Sequence, residues 1–491
     1  MTSRLERITE QRLDSLSRIR ARGIDPYPHS YRPSHTIREA ITLFEQQGEG
    51  SEDISLAGRI MSKRSMGKMS FLDIRDSSDK IQLSVRYDLL GQERYEVLQD
   101  YDIGDIIGAK GKLFQTRAGE LTLEVSDLVI LCKSLRPLPE KWHGLADVEK
   151  RYRQRYLDLI SNEDSRNIFI LRSKIITAIR RFFDKRGFME VETPVLQPHA
   201  GGALARPFVT YHHALDEDLY LRIAIELHLK RLIVGGFDKV YEMGRVFRNE
   251  GISVKHNPEF TLLECYQAYS DYNDVMILVE EMLAHIAKEV LGDTILACNS
   301  EAIDLGRPWQ RLCLREAIEN HCSIDFEDFP DAASLGSRMA EMGMEIDPSK
   351  DRGRLIDELL STFVEPKLIQ PTFLLDYPLE MSPLAKKKRG NNRLVERFEG
   401  FVGGREVANA FTELNDPVEQ RERFQWQLKE QAGDEEREIA DEDFLEALEY
   451  GMPPTGGLGM GIDRLVMLFA KQQSIREVIL FPQLKTRSSP Q

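Results

Sequence analysis

A chain of 491 residues exceeds one ordinary domain, and at roughly 100–200 residues per domain it predicts two to four. With 41% hydrophobic and 30% charged residues, it has the composition of a soluble globular protein with sizeable cores. Lys plus Arg total 66 against 81 Asp plus Glu, and a net charge of −15 excludes general attraction to nucleic acid, so any RNA contact must come from local basic faces. Cys132, Cys265, Cys298, Cys313 and Cys322 form an odd, scattered set without C-x-x-C spacing, as expected of reduced thiols. No basic-then-apolar leader opens the chain and no apolar run reaches about 18 residues. Neither a signal peptide nor a membrane span is expected, and the expected location is cytoplasmic.

Residues 1–50 read as a helical extension. Leu5, Ile8, Leu13, Leu16 and Ile19 recur at helical spacing, and six arginines stand against three acids up to residue 22. That basic face packs on its own protein or faces RNA, and the sequence leaves both readings open. Gly23, Pro26, Pro28 and Pro33 end the helix. From 51 to 135 the texture changes to short alternating runs punctuated by Gly67, Gly104, Gly111 and Gly119, with a helix-like piece at 88–99. This pattern predicts an OB-fold β-barrel, a fold that often stacks single-stranded bases on exposed aromatics. Residues 136–150, with Pro137 and Pro139, read as a linker. Residues 151–491 form the remaining mixed domain, with a helical, acid-rich insertion at about 275–361.

Three constellations in that domain carry chemistry. In residues 239–272, two strand-like runs flank a polar loop holding Gly251, Lys255, His256, Asn257 and Pro258. Period-two alternation puts Arg248 and Glu250 on one face of the outgoing strand, and Leu262, Glu264 and Tyr266 on one face of the return strand. Such charges are costly to bury without a charged ligand; otherwise the face is solvated. In residues 397–417, a turn at Val402–Gly404 sets Glu399 and Glu406 symmetrically about a hairpin, where facing carboxylates repel unless they share a proton or a cation, and oxygen-only ligands of this kind suit Mg²⁺. Asn409, Phe411 and Glu413 alternate on one face, but Glu406 has the opposite parity, so a bulge is required to unite all four. In residues 456–470, glycines precede an apolar helix with Arg464 in its first turns, an arrangement suited to phosphate. It is neither a P-loop nor a Rossmann fingerprint.

Taken together, GFMEVETPVL (187–196), FRNEG with HNPEF, and GLGMGIDR resemble the three motifs of the class II aminoacyl-tRNA synthetases. The runs RPLPEKWHGLADVEKRYRQRYLDLI, HAGGALARPF, FVEPKLIQPTFLLDYP and ANAFTELNDP resemble the lysyl-tRNA synthetases in particular. The resemblance spans about residues 55–482. It implies an α+β chain in which an OB-fold anticodon-binding barrel precedes a class II catalytic domain, built on an antiparallel sheet flanked by helices. It further implies lysine activation by ATP with Mg²⁺, transfer to tRNA(Lys), and a homodimer. By resemblance, Arg248, Glu250, His256, Phe260, Glu399, Glu406 and Arg464 bind ATP, with Glu399 and Glu406 on the metal and Arg248 and Arg464 catalytic. Gly202, Glu226, Glu264, Tyr266, Asn409, Phe411 and Glu413 are implied to bind lysine, and Arg59, Phe71 and Gln82 the anticodon. Ile225, His228 and Cys265 depart from the pattern, standing where Pro, Tyr and Leu are expected.

The aspartyl and asparaginyl enzymes share this architecture but need cations, not three glutamates, around the side-chain pocket. A truncated lysyl paralogue that modifies elongation factor P lacks the barrel. A catalytically dead RNA-binding relative would be expected to lose Arg248, Glu399, Glu406 or Arg464, all present here. GKMS at 67–70 resembles a class I signature, but no HIGH-type partner accompanies it and it reads as a loop.

Overall fold

The computed structural model describes residues 3–48, 52–139, 147–199, 201–202, 205–298, 301–430 and 441–485. The chain forms two units, Met1–Ala146 and Asp147–Gln491.

The first unit is a closed barrel of β1 (Ile54–Met66), β2 (Met69–Arg75), β3 (Lys80–Arg86), β4 (Ile106–Gln115) and β5 (Leu121–Cys132), in the order β1-β2-β3-β5-β4. Every neighbouring pair is antiparallel except β3 with β5. Alternation along the strands sends Ile60, Leu72, Ile74, Ile81 and Leu83 inward. Helices Arg4–Ala21 and Ile37–Gln47 join the same core through Ile19, Ile37 and Ala40, so the N-terminal extension is part of the barrel unit. One face of the first helix is committed to its own protein: buried Arg12 donates to the carbonyls of Ile103, Ser134 and Arg136. The GKMS tetrapeptide is the β1–β2 turn, with Gly67 at φ +59°, followed by the first residues of β2. Part of the expected linker, 140–146, lies outside the described residues.

The second unit opens with the short helices Val148–Arg153 and Arg155–Ser161, followed by the long helix Glu163–Lys185 and the short β6 (Met189–Glu190). Strands β7 (Leu196–Gln197), β8 (Val209–His212) and β9 (Glu217–Leu221) make a small separate sheet, ordered β7-β9-β8. Then follow β10 (Lys239–Phe247) and β11 (Glu259–Ala268), the ribbon β12 (Ile295–Cys298) with β13 (Glu301–Asp304), and β14 (Gln310–Cys313). The C-terminal strands are β15 (Thr372–Pro378), β16 (Lys387–Lys388), β17 (Asn391–Phe401), β18 (Glu406–Thr412) and β19 (Thr455–Gly461). The main sheet runs β14-β15-β17-β18-β19-β11-β10-β6, with β16 beside β17. It is antiparallel except at its ends, where β14 pairs parallel with β15 and β6 with β10.

Alternation separates the two faces of this sheet. Leu263, Cys265, Phe398, Ala410, Leu458 and Met460 pack against helices Glu163–Lys185, Tyr272–Leu291 and Ile462–Phe469 in the largest core. The segment 275–361 is not wholly helical, because it also supplies β12, β13 and the edge strand β14. Its first helix belongs to the main core, since Val275, Val279, Leu283 and Ile286 are buried against the sheet. Among the described residues, no helix is long and apolar enough to cross a membrane.

Candidate active site

The opposite face of the sheet floors a cavity of about 440 Å³. Three strands set its order. Phe411, Gly457 and Tyr266 lie opposite one another, then Asn409, Gly459 and Glu264, then Gly461 and Leu262. Glycines dominate the central strand because the neighbouring side chains need the room: a Cβ on Gly457 would stand 1.8 Å from Glu413 Oε1 and 2.6 Å from Tyr266 Cε1. The residues expected to form a Gly-rich turn before a helix are therefore strand β19, and the helix starts at Ile462.

The hairpin of β17 and β18 differs from the symmetric pairing expected of it. Glu399 faces Asn409 and Phe401 faces Glu406, because a register shift makes Val407 the extra residue. Glu399 and Glu406 are consequently not cross-strand partners. That same bulge reverses the parity of Glu406, so Glu406, Asn409, Phe411 and Glu413 all line the cavity, as required. Glu399 does not line it; its carboxylate accepts from Arg397 Nη2 at 2.6 Å. Burial pushes Glu399 up to about 7, with Arg397 opposing and Glu406 adding to the rise. Among the described residues, no three His, Cys, Asp or Glu side chains converge as metal ligands.

Arg248 and Glu250 lie beyond the end of β10 in the hairpin loop, not on the strand. Backbone pairing nevertheless continues past the strand, with Arg248 N–H donating to Pro258 O at 2.8 Å. The Arg248 guanidinium lies 5.2 Å from the Phe260 ring centre and donates to Ile223 O at 3.2 Å. Both line the cavity with Glu250, His256 and Arg464. Arg464 donates to Glu406 Oε2 at 2.7 Å. Burial, and then the positive field of Arg464, holds His256 below its ordinary value, and Ser253 Oγ sits 3.0 Å from its Nδ1.

The other end of the cavity is acidic. Gly202, Glu226, Glu264, Tyr266, Phe411 and Glu413 converge there. Glu264 Oε2 accepts from the Tyr266 hydroxyl at 3.0 Å and Oε1 from Ile225 N–H at 3.2 Å. The departure at 225 thus adds a donor that proline lacks. Burial, followed by Glu226, pushes Glu264 up to about 7. Burial also drives Glu413 well up, although Lys230 pulls it back. Ala200, Ala203 and Leu204 of the HAGGALARPF run lie outside the described residues.

Sequence reasoning missed Arg397, Lys230 and the Ser382–Ala385 segment. Arg397 shares parity with Glu399, donates to Asn409 Oδ1 at 3.1 Å and lines the cavity. Lys230 lies four residues after Glu226 on one helix face, a spacing that would have found it. The Ser382–Ala385 segment reaches the cavity only through tertiary folding. In the barrel unit, Arg59, Phe71 and Gln82 all point to the outer face, since β1–β2 and β2–β3 pairing sets them opposite to inward Ile60, Leu72 and Leu83. Phe71 is half-buried, while Arg59 donates to Gly104 O and Gln82 accepts from Thr122.

The model for class II tRNA synthetases (D, K and N) matches residues 147–485, and that for the OB-fold nucleic acid binding domain matches 54–131. The chain belongs to the class II tRNA synthetases of that group. Within it, the chain belongs with the lysine–tRNA ligases. It is 57% identical to the lysine–tRNA ligase of Dehalococcoides mccartyi strain 195 over 98% of both chains. It is also 55% identical to that of Moorella thermoacetica over 97% of both, and 52% to that of Bacillus subtilis strain 168 over 97% of both.

Proposed function

We propose that this chain activates L-lysine with ATP and transfers it to the 3′ end of tRNA(Lys). The observation that carries this reading is the polarity of one cavity: Glu226, Glu264 and Glu413 at one end, Arg248, His256 and Arg464 at the other. A carboxylate-lined pocket suits a substrate with ammonium groups, and a neutral side chain would leave buried charges unpaired. Lys230, the cation at that end, is held by Glu226 and Glu413, so the side chain of aspartate or asparagine finds no free cationic partner there among the described residues.

The substrate carboxylate is ionised at neutral pH and attacks the α-phosphorus of ATP without a general base, giving lysyl-adenylate and pyrophosphate. The protein contributes position and charge neutralisation. Arg248 holds the α-phosphate, His256 and Arg464 the γ-phosphate, Phe260 stacks on adenine and Glu250 contacts the nucleotide. Asn409 helps hold the α-carboxylate, Glu226 and Glu264 with the Gly202 backbone receive ammonium groups, Glu413 and Tyr266 take the ε-ammonium, and Phe411 lines the stem. The terminal tRNA ribose hydroxyl then attacks the adenylate.

Mg²⁺ fits the residues present. Glu399 and Glu406 offer oxygen-only donors, and Glu399, raised by burial and further by Glu406, would gain from a shared cation. Glu399 and Glu406 would hold Mg²⁺ beside the nucleotide phosphates, where it would neutralise phosphate charge. To admit it, these carboxylates must loosen from Arg397 and Arg464.

Arg59, Phe71 and Gln82 read the anticodon from the outer barrel face. The homodimer is supported by exposed apolar residues around the motif 1 segment: Leu196, Val209 (59% exposed) and Tyr211 on the small sheet, and Leu215 (63% exposed) in its turn. The test of the whole reading is ATP-dependent formation of acid-precipitable lysyl-tRNA by the purified protein. Attachment of another amino acid, or none, contradicts it.

A further inference from the structure

Behind the acidic end lies a cation that the chemistry of adenylate formation does not call for. Lys230 is completely buried. Its Nζ donates to Glu226 Oε1 at 2.5 Å and forms an ion pair with Glu413 Oε2. The rings of Tyr266 from β11, Phe411 from β18 and Phe444 from helix Glu442–Glu449 surround it, with centres 5.9, 5.5 and 5.9 Å away. Burial opposes its charge, but Glu226 and Glu413 outweigh that and hold it above its ordinary value. Glu264 takes its hydrogen bonds elsewhere, accepting from Ile225 N–H and the Tyr266 hydroxyl, and feels the charge of Glu226 and, in the opposite sense, of Arg248. Arg231 on the same helix is bound to Asp441, so it does not compete for Glu226. Glu413 Oε1, on the cavity side against Gly457, is buried and accepts no hydrogen bond among the described residues.

The charges then count as follows. Glu226, Glu264 and Glu413 bring three negative charges and Lys230 one positive, leaving two negative. Free lysine carries two ammonium groups, and with both bound the acidic end is neutral. Without Lys230 one negative charge would stay uncompensated in a buried site, where the cost is greatest.

We propose that Lys230 is a positioning residue for substrate recognition: it takes one oxygen from each of Glu226 and Glu413, turns Glu413 Oε1 toward the cavity, and matches the charge of the site to a diammonium substrate. This rests on the lysine reading above. In the empty site the excess charge is relieved by protons, consistent with the raised values of Glu264 and Glu413. Substrate binding must displace those protons, and removing Lys230 makes them harder to displace, because no neighbouring cation then favours the ionised carboxylates.

The test is Lys230→Met in the full chain, measuring lysine and ATP KM by pyrophosphate exchange from pH 6 to 9, alongside thermal melting. Lysine KM should rise by about tenfold or more at pH 7 and recover toward the native value as pH rises, while ATP KM stays within about twofold. Lys230→Arg, which keeps the cation, should retain the native pH slope. An unchanged lysine KM and pH slope in Lys230→Met overturns the proposal, as does a parallel rise in both KM values with the native slope, the signature of packing alone. If Lys230→Met fails to fold, calorimetry of lysine binding to the native protein in two buffers of different ionisation enthalpy decides. Proton release at pH 7 supports the proposal and its absence overturns it. A native protein that activates a different amino acid instead defeats the lysine reading and not the count of charges around Lys230.

Discussion

In the proposed reading Glu413 is the residue on which lysine selection turns: one carboxylate oxygen is ion-paired with Lys230, and Oε1 is buried with no hydrogen-bond donor among the described residues. Glu413→Gln removes the charge while keeping the shape. Lysine kcat/KM should fall by several kcal/mol of transition-state stabilisation, roughly 3–5 by analogy with broken buried charge pairs, with ATP KM little changed. Steady-state kinetics for both substrates check this, and unchanged lysine kinetics would remove Glu413 as the side-chain anchor. Glu264 gives the pH dependence. Burial favours its neutral form up to about pH 7, whereas binding an ammonium requires the ionised form. Lysine KM should therefore fall as pH rises from 6 to 8, with the largest change near 7. The same raised value has the opposite sign for stability: the folded state binds the extra proton between the ordinary carboxylate value and about 7, so this group's contribution weakens as pH rises through that window. Gly457→Ala should cost more than either, since its methyl would enter the space of both Glu413 and Tyr266. Loss of lysine binding with intact folding is the expected result, read by exchange kinetics and melting.

Single elements show which features of the sequence were legible. The residue types and order of β11 and β18 were readable because period-two alternation survives even where a strand bulges, and the parity conflict at Glu406 itself called for the bulge found at Val407. The pairing of Glu399 with Asn409 was not readable, since loop symmetry assumes an unshifted register and the bulge moves it. β19 read as a turn because glycine has low strand propensity; only its neighbours' side chains explain why a central strand carries four glycines. Lys230 and Arg397 were overlooked although helical and strand spacing placed them correctly. A buried cation gives no signal in sequence beyond its periodic position. On the barrel, Phe71 is neither core nor fully exposed, and lies beside Gln82 on the outer face. Phe71→Ala should raise the tRNA KM by roughly 5- to 150-fold, the range for losing one base–aromatic stack of about 1–3 kcal/mol, and leave adenylate formation unchanged. Equal damage to both reactions would make Phe71 a stability residue.

At the scale of the whole molecule, an acidic chain that handles tRNA must concentrate its RNA contacts on local basic faces, and each phosphate they neutralise should steepen the salt dependence of transfer. Chain composition argued against RNA, and only the motifs overrode it. Assembly is a separate expectation: light scattering at micromolar concentration should give twice the 56.5 kDa chain mass, and a monomer would count against the dimer. The central claim is that one cavity joins a diammonium substrate to ATP, and amino-acid-dependent ATP–pyrophosphate exchange across the twenty standard amino acids tests it most directly, because it needs no tRNA. Strong exchange with lysine alone is the predicted result. Equal or better exchange with aspartate or asparagine would contradict the assignment of Glu226, Glu264 and Glu413 to a cationic substrate while leaving the class II architecture intact.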